Sequence, residues 1–466
     1  MTRTGFKAVT SLNTIIISLL GALGAAFGQA SGVTDPGVRG GAAGAGGPIA
    51  GLTIPERQFW KAAQGVFEET FSVLGAAGVP GTELGLGPRF NGNSCALCHS
   101  QPAVGGSSPA ANPQLALVTL DTQNTPVNTV PPFITANGPI LEARFINLPS
   151  GAPDGSVHDL FVVTGRNDAS SCNIQQPNFA AAIAASNISF RLPTPLFGLG
   201  LVEATSDDSL ITDSVNISGP QTQAGIVSGL FNRSPNDGTI ARFGWKAQNK
   251  SLLLFAGEAA NVEIGVTNEL FPEERIDTPD DTPSSVQGCS FNPIPEDSTN
   301  LVDLGQTNSP ASDISSDIVN FATFMRFNAA PVPIAPAGDT GHGNNKFVNI
   351  GCGLCHIPNH TTSASPFSGM GNVTFTPFSD FALHNMGVGL QDQITQGVAN
   401  GQMFRTAPLW GIGQRVFFLH DGRTTSLVAA IEAHASAGSE ANQVVNNFNL
   451  LKESDQQSLI DFLRSL

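Results

Sequence analysis

The sequence predicts a mainly α-helical fold with loop-rich and short-strand insertions, divided into two domains. Three observations carry this reading. At 466 residues the chain exceeds what one small core organises. Only 12% of residues are charged while Gly and Pro number 51 and 32, a composition of loops between packed elements rather than of a helical array or a charged disordered chain. Finally, one short pattern, Cys-x-x-Cys-His, occurs twice, at 95–99 and at 352–356.

Taken in order, the chain opens with Arg3 and Lys7 ahead of an apolar run from Ile15 to Phe27, closed by Gly28 and Ala30. This reads as a signal peptide over 1–30, because the run is shorter than the roughly 20 apolar residues needed to span a bilayer. No later stretch is long and apolar enough to span a membrane, so the expectation is an exported, periplasmic protein without a transmembrane anchor once the signal is removed. A Gly/Ala-rich stretch over 31–52 reads as a flexible lead. A helix starts at Pro55, with Phe59, Val66, Phe67 and Phe71 at helical intervals, and leads into the first motif. From Asn112 to about Pro310, Asn, Pro, Thr and Gly dominate, and the β-branched runs Leu115 to Leu120 and Leu160 to Thr164 read as short strands. Phe321 to Phe327 looks helical. Residues 329–340, with three prolines, form the linker between a first domain over 53–328 and a second over 341–466. The last helix is signalled by a capping box, Ser454 with Gln457, and by Leu459, Ile460, Leu463 and Leu466 along one face.

The formal charge of −16 makes nucleic acid and anionic membrane surfaces poor partners. Four of the six cysteines belong to the repeated pattern, leaving Cys172 and Cys289. In an oxidising compartment these two are expected to pair, with two separate buried thiols as the alternative.

In Cys-x-x-Cys-His the two thiols add across the vinyl groups of haem and the adjacent imidazole binds iron from one side, so the spacing follows the porphyrin edge. Random placement of these residues gives on the order of 0.001 copies in such a chain, and this one has two. The expectation is therefore two covalently bound haem c groups, on Cys95, Cys98 and His99 and on Cys352, Cys355 and His356. A zinc site is the competing reading. Against it, each pair is followed directly by His, and the pairs lie 257 positions apart.

The runs GLGPRFNGNSCALCHSQPAVGG (85–106), RLPTPLFGLGLVEA (191–204), RFGWKAQ (242–248), IGVTNELFPEE (264–274), KFVNIGCGLCHIP (346–358), LHNMG (383–387), RTAPLWGIG (405–413) and FLHDGRTTSLVAAIEAH (418–434) resemble the di-haem oxidoreductase family of peroxidase-like proteins, also labelled thiol oxidoreductases. The C-terminal part is more distantly similar to bacterial di-haem cytochrome c peroxidases and to the di-haem enzyme that matures the quinone cofactor of methylamine dehydrogenase. The resemblance implies two cytochrome c-like domains facing each other, with a peroxidatic haem in the first and an electron-transfer haem in the second.

It also implies site residues. In the relatives a His-Asp-Gly run precedes the Met ligand of the second haem by fourteen positions, which puts His434 in that place here, with Met386 as the rival. The alternative for His434 is a helix cap. The quinone-maturing enzyme has Tyr at this place, and this chain has none. A second imidazole in place of Met lowers the iron potential. No His or Met follows His99 closely, which fits an open first haem. Peroxide cleavage needs a proton carrier; His384 matches a distal His of the relatives and is the first candidate, with Glu263 next and Glu203 beside it. Where the peroxidases hold calcium with a Thr and a Pro, this chain has Arg415 and Phe417, so calcium is not expected to transfer. Trp410 is placed between the haems or in the core. His158, His342 and His360 are left as surface or supporting residues. The function expected is an exported di-haem oxidoreductase, peroxidase-like, with peroxide and a small redox protein as partners. The competing function is a di-haem electron carrier without turnover.

Overall fold

The computed structural model describes residues 32–73, 82–119, 130–162, 169, 172, 174, 176–217, 227–275, 289, 295–300, 314–334 and 340–466. The leader over 1–30 lies outside them, as do residues 335–339 of the expected linker. Thr53 starts the first helix, Ile54–Glu68: its hydroxyl accepts the Glu56 N–H, and the Glu56 carboxylate accepts the Thr53 N–H at 2.7 Å. Such a reciprocal cap satisfies two otherwise orphaned donors and contributes about 1 kcal/mol. The buried face, Trp60, Ala63 and Phe67, packs on the helix Asp317–Phe327, with the Phe67 ring 4.5 Å from Phe324 and 6.2 Å from both Phe321 and His99. A third helix, Leu252–Glu263, is capped by Ser251 and completes this wall. Facing it, a three-stranded antiparallel sheet runs in the order Val157–His158, Glu142–Phe145, Ile188–Arg191.

In the last third, the helix Thr340–Asn349 lies along the terminal helix Glu453–Ser465. Gly343 permits the approach, since a Cβ there would sit 2.1 Å from the Ser458 carbonyl oxygen. Phe347 packs edge-on against Phe378 and Phe462 and tilted against His356. Two hydrophobic cores result, one behind each Cys-x-x-Cys-His turn, although Met370, Phe375, Phe381 and Trp410 join the first from beyond the expected linker. Cys172 and Cys289 are bonded, tying together positions 117 apart.

Several local expectations are corrected. Residues Gln114–Thr119 are helical rather than a strand, because the Asn112 side chain accepts the Gln114 N–H at 3.0 Å and turns the chain there. From the run Leu160 to Thr164 only Phe161–Val162 pairs as a strand, with Arg89–Phe90; residues 163 and 164 lie outside the described residues. The terminal helix begins at Glu453, and the Ser454–Gln457 box does not form. Gln457 instead holds Thr34, donating to its carbonyl and accepting its N–H, both at 2.9 Å. Leu459, Ile460, Leu463 and Leu466 are buried as the periodicity required.

Thr34 belongs to the largest correction. The Gly/Ala-rich lead is a docked strap. Its Arg39 N–H bonds Gly413 O, Gly44 O and Gly47 O accept from Val332 and Ala329, and the Ile49 N–H bonds Phe327 O. Asp35 anchors it: one carboxylate oxygen meets Arg464 Nε at 2.7 Å, and the other meets Arg464 Nη2 at 2.8 Å and the Leu427 N–H at 2.6 Å. Both side chains are largely buried, at 9% and 5% exposed. Burial works against the Asp35 charge, but Arg464 and the Leu427 and Gly37 N–H groups outweigh it, so its pKa lies below the ordinary value. A depressed carboxylate pKa contributes stability that is fully present above the unfolded value and is lost as pH falls through the folded one. Asp35→Ala, which leaves a buried guanidinium unpaired, should cost about 3 kcal/mol at neutral pH in denaturant unfolding, and the gap to the wild type should begin to narrow only below about pH 4 and close as pH falls through the depressed Asp35 pKa. A difference that persists unchanged into acid contradicts the assignment.

Candidate functional site

Ser94 is extended and Cys95–Cys98 form a single helical turn, which sets the two sulfurs on one side and lets the His99 N–H close on Cys95 O at 3.1 Å. The His99 ring is then fixed by Nδ1, which donates to Gly106 O at 3.0 Å. Gly106 is required here, because a Cβ would fall 1.9 Å from Gln101 O. Burial pushes the His99 pKa down to about 4, against hydrogen bonds to the Gly106 and Thr194 backbone, so the ring is neutral at pH 7. With the proton on Nδ1, the lone pair sits on Nε2. This is the tautomer a metal ligand needs, and a carbonyl that accepts the other N–H is its usual support.

Cys95, Cys98 and His99 line a cavity of about 1080 Å³, counting its open mouth. Its walls are mostly apolar, but one side carries Glu142, Arg144, Arg191 and Glu263. The sheet delivers the first three, and Glu263 closes the helix Leu252–Glu263. Glu263 and Glu142 are hydrogen-bonded to each other, and Arg144 Nε lies 2.5 Å from Glu142 Oε1. Burial first, and then the charge of Glu142, raise the Glu263 pKa well above the usual carboxylate range. Arg144 and Arg191 overcome the same burial at Glu142 and lower its pKa. The pair therefore divides its roles: Glu263 holds a proton and Glu142 holds the charge.

The second turn starts from Gly351, in the left-handed region at φ 105°, and runs through Cys352–Leu354 to His356. His356 Nδ1 donates to Phe378 O at 2.8 Å, and burial pushes its pKa down to about 4. His434 ends the helix Leu427–Ala433, with its Nδ1 donating to Ala430 O at 2.7 Å. Burial lowers its pKa as well. The capping and ligand readings of this residue are thus compatible, because the cap uses Nδ1 and leaves Nε2 basic. Cys352, Cys355, His356 and His434 all line a cavity of about 1380 Å³ with its mouth, together with Met386, His384 and His420. Each cavity joins an apolar interior to a Cys pair and a buried neutral imidazole. These residues fit a haem. The two Cys pairs line different cavities, which does not fit one shared zinc ion.

Some expected residues are elsewhere. His384 lies on the second cavity and not the first, because the strand Leu383–Asn385 runs beside Cys355. Both of its ring nitrogens are taken, Nε2 by Asp380 and Nδ1 by Glu440, each at 2.9 Å. It is therefore not placed to carry a proton at the first cavity. Glu203 is structural: it receives Arg326 Nε at 2.7 Å and the Leu252 N–H at 2.8 Å. Trp410 is a core residue tilted against Phe375. The tryptophan that touches both cavities is Trp245, held by its Nε1 donating to Leu192 O at 2.8 Å and lying edge-on to His420. His342 meets Asp455, while His158 and His360 are fully buried on Asp154 and Asp213 and are not surface residues. Glu142, Arg144, Arg191 and Trp245 were not foreseen. Arg191 and Trp245 sit inside the family-like runs, but no local pattern marks their roles.

The protonated Glu263 is open to measurement. Infrared difference spectra near neutral pH should contain a protonated-carboxyl band that vanishes in Glu263→Gln, and Glu142→Gln should lower the pH at which that band disappears. A carboxyl spectrum indifferent to both changes refutes the shared-proton pair.

Comparison with curated protein sequences gives no match. Among solved structures, the chain is similar to the hydrazine synthase of Kuenenia stuttgartiensis, at 12% identity over 99% of this chain and 100% of that one, with a TM-score of 0.32. It is also similar to the diheme peroxidase BthA from Burkholderia thailandensis, at 12% identity over 93% of this chain and 92% of that one, again with a TM-score of 0.32. Residues 149–466 match the family model described as "Di-haem oxidoreductase, putative peroxidase". That match begins after the strand Glu142–Phe145 and takes in the second motif, His434 and the terminal helix, well over half of the sequence, and the chain belongs to the di-haem oxidoreductase family.

Proposed function

We propose that this is an exported di-haem c-type oxidoreductase with peroxidase-like activity. One haem is attached at Cys95 and Cys98 with His99 as its ligand, and the other at Cys352 and Cys355 with His356 and His434. The observation that carries the proposal is the asymmetry of the cavities. The first is lined by one histidine and a carboxyl pair, the second by four histidines. Haem supplies one-electron redox chemistry when bound. Reducing a peroxide to two waters consumes two electrons and two protons. Glu142, which holds the charge, can accept the proton given up by one peroxide oxygen, and its hydrogen-bonded partner Glu263, which holds a proton, can deliver it to the other, help that is worth roughly 10²–10⁴-fold. Arg144 and Arg191 offset the negative charge of that wall. Trp245 spans from the first cavity to the second, where electrons from a small redox protein would enter. Two cytochrome c-like domains, one behind each motif, suit this division. Export to the periplasm is supported by the leader pattern over 1–30 and by the Cys172–Cys289 bond. Among the described residues no helix is long and apolar enough to cross a membrane.

Met325 also lines the first cavity, and this favours a second reading, in which thioether sulfur closes that iron and the protein only carries electrons.

Two measurements decide. The denatured protein should retain the mass of two haems through acid-acetone extraction, and a Cys352→Ser, Cys355→Ser variant should retain one; loss of haem from the wild type refutes covalent attachment. In the ferric state one high-spin and one low-spin bis-histidine signal are expected. His434→Ala should abolish the low-spin signal and spare the other, while Glu263→Gln should preserve both signals and slow the reaction with peroxide by roughly 10²–10⁴-fold. Two low-spin haems inert to peroxide in every redox state select the carrier.

A further inference from the structure

Buried cations in this fold are generally paired. Arg191 and Lys246 share Asp392, Arg242 meets Asp207, and Arg464 meets Asp35. Arg405 and Arg415 differ. Both are nearly buried, at 7% and 8% exposed, and both line the second cavity. Arg415 follows the short turn Ile412–Gln414, and among the described residues its guanidinium has no hydrogen-bond partner and no carboxylate within ion-pair distance. Arg405 donates only to backbone, from Nε to Gly244 O at 3.0 Å and from Nη1 to Thr406 O at 3.1 Å. The acid nearest in effect is Asp380, but its oxygens serve His384 and the Ala382 N–H. Burial pushes both guanidinium pKa values down to about 10, and Arg415 adds repulsion to Arg405. Two like charges enclosed in an apolar cavity are costly unless an anion meets them.

We infer that Arg405 and Arg415 form the anion-binding corner of the second cavity and receive the two carboxylates of the group held there. For a haem on Cys352 and Cys355 these are the propionates. A planar guanidinium fork matches a carboxylate in shape as well as charge. The inference rests on the haem reading of this cavity and adds which protein groups orient that haem. It also assigns them an electrical effect, because cations beside the porphyrin favour the reduced iron, which carries one less positive charge.

The test uses the holoprotein. Arg415→Gln should lower the midpoint potential of the low-spin haem and shift its propionate bending band in resonance Raman spectra, and Arg415→Lys should restore the potential more than the band. Arg405→Gln provides the same two readings should Arg415→Gln fail to fold. Unchanged potential and band in a variant whose low-spin signal is intact overturn this inference while leaving the haem assignment standing. A wild-type protein without haem at Cys352 and Cys355 overturns both.

Discussion

Asp392 is fully buried, and each of its oxygens carries a cation: Lys246 Nζ on Oδ1 at 2.9 Å and Arg191 Nη2 on Oδ2 at 2.7 Å. Three charges taken out of water are tolerable only when every remaining donor and acceptor is met, and here they are. Lys246 also reaches the carbonyls of Asn400 and Met403, and Arg191 reaches Gln396. Burial pushes the Lys246 pKa down to about 8, with Asp392 opposing it. This triad fixes one wall of each cavity. Arg191 faces the first, while the Lys246 ammonium lies 4.1 Å over the Phe404 ring, which stacks at 4.2 Å on His420 in the second. Trp245, next to Lys246 in the chain, is held between them. The spacing of the two cavities therefore depends on one carboxylate.

The two cavities are equipped for different tasks by their polar groups rather than by their shapes. In the first, two carboxyls with unequal pKa values can exchange a proton without leaving a bare buried charge, because Arg144 and Arg191 balance the pair. In the second, imidazoles anchored through Nδ1 present basic nitrogens, while both ring nitrogens of His384 are held by acids, Asp380 and Glu440. Pairs of titratable groups driven apart by their surroundings are a common mark of acid–base sites, and only the first cavity has such a pair of carboxyls among the described residues.

What was legible in the sequence follows from how local each signal is. Cys-x-x-Cys-His is one turn of chain, so its spacing alone brings each Cys pair and its histidine to the wall of one cavity. The 54–68 helix and the buried face of the terminal helix are local periodicities and were read correctly. His384 was assigned to the wrong cavity because its neighbours come from a strand register and from Glu440, which no nearby residue announces. Glu142 and Arg144 were missed for the same reason: hydrogen bonding to Ile188–Arg191 and packing opposite Glu263 give them their role. The strap was misread because glycine and alanine outnumber the one residue, Asp35, that decides its fate. Ser454 and Gln457 matched a capping pattern, yet Gln457 was needed by Thr34.

The same strap constrains the order of assembly. Asp35 and Arg464 are 429 positions apart, so the earliest segment of the chain described here closes upon the last helix. Loop closure of that span cannot be rewarded until the final residues are present. A chain emerging from its N-terminus would have to hold its first anchor unsatisfied until synthesis is complete. Both Cys-x-x-Cys-His turns are made before the strap can close, so their thiols stay accessible until it does.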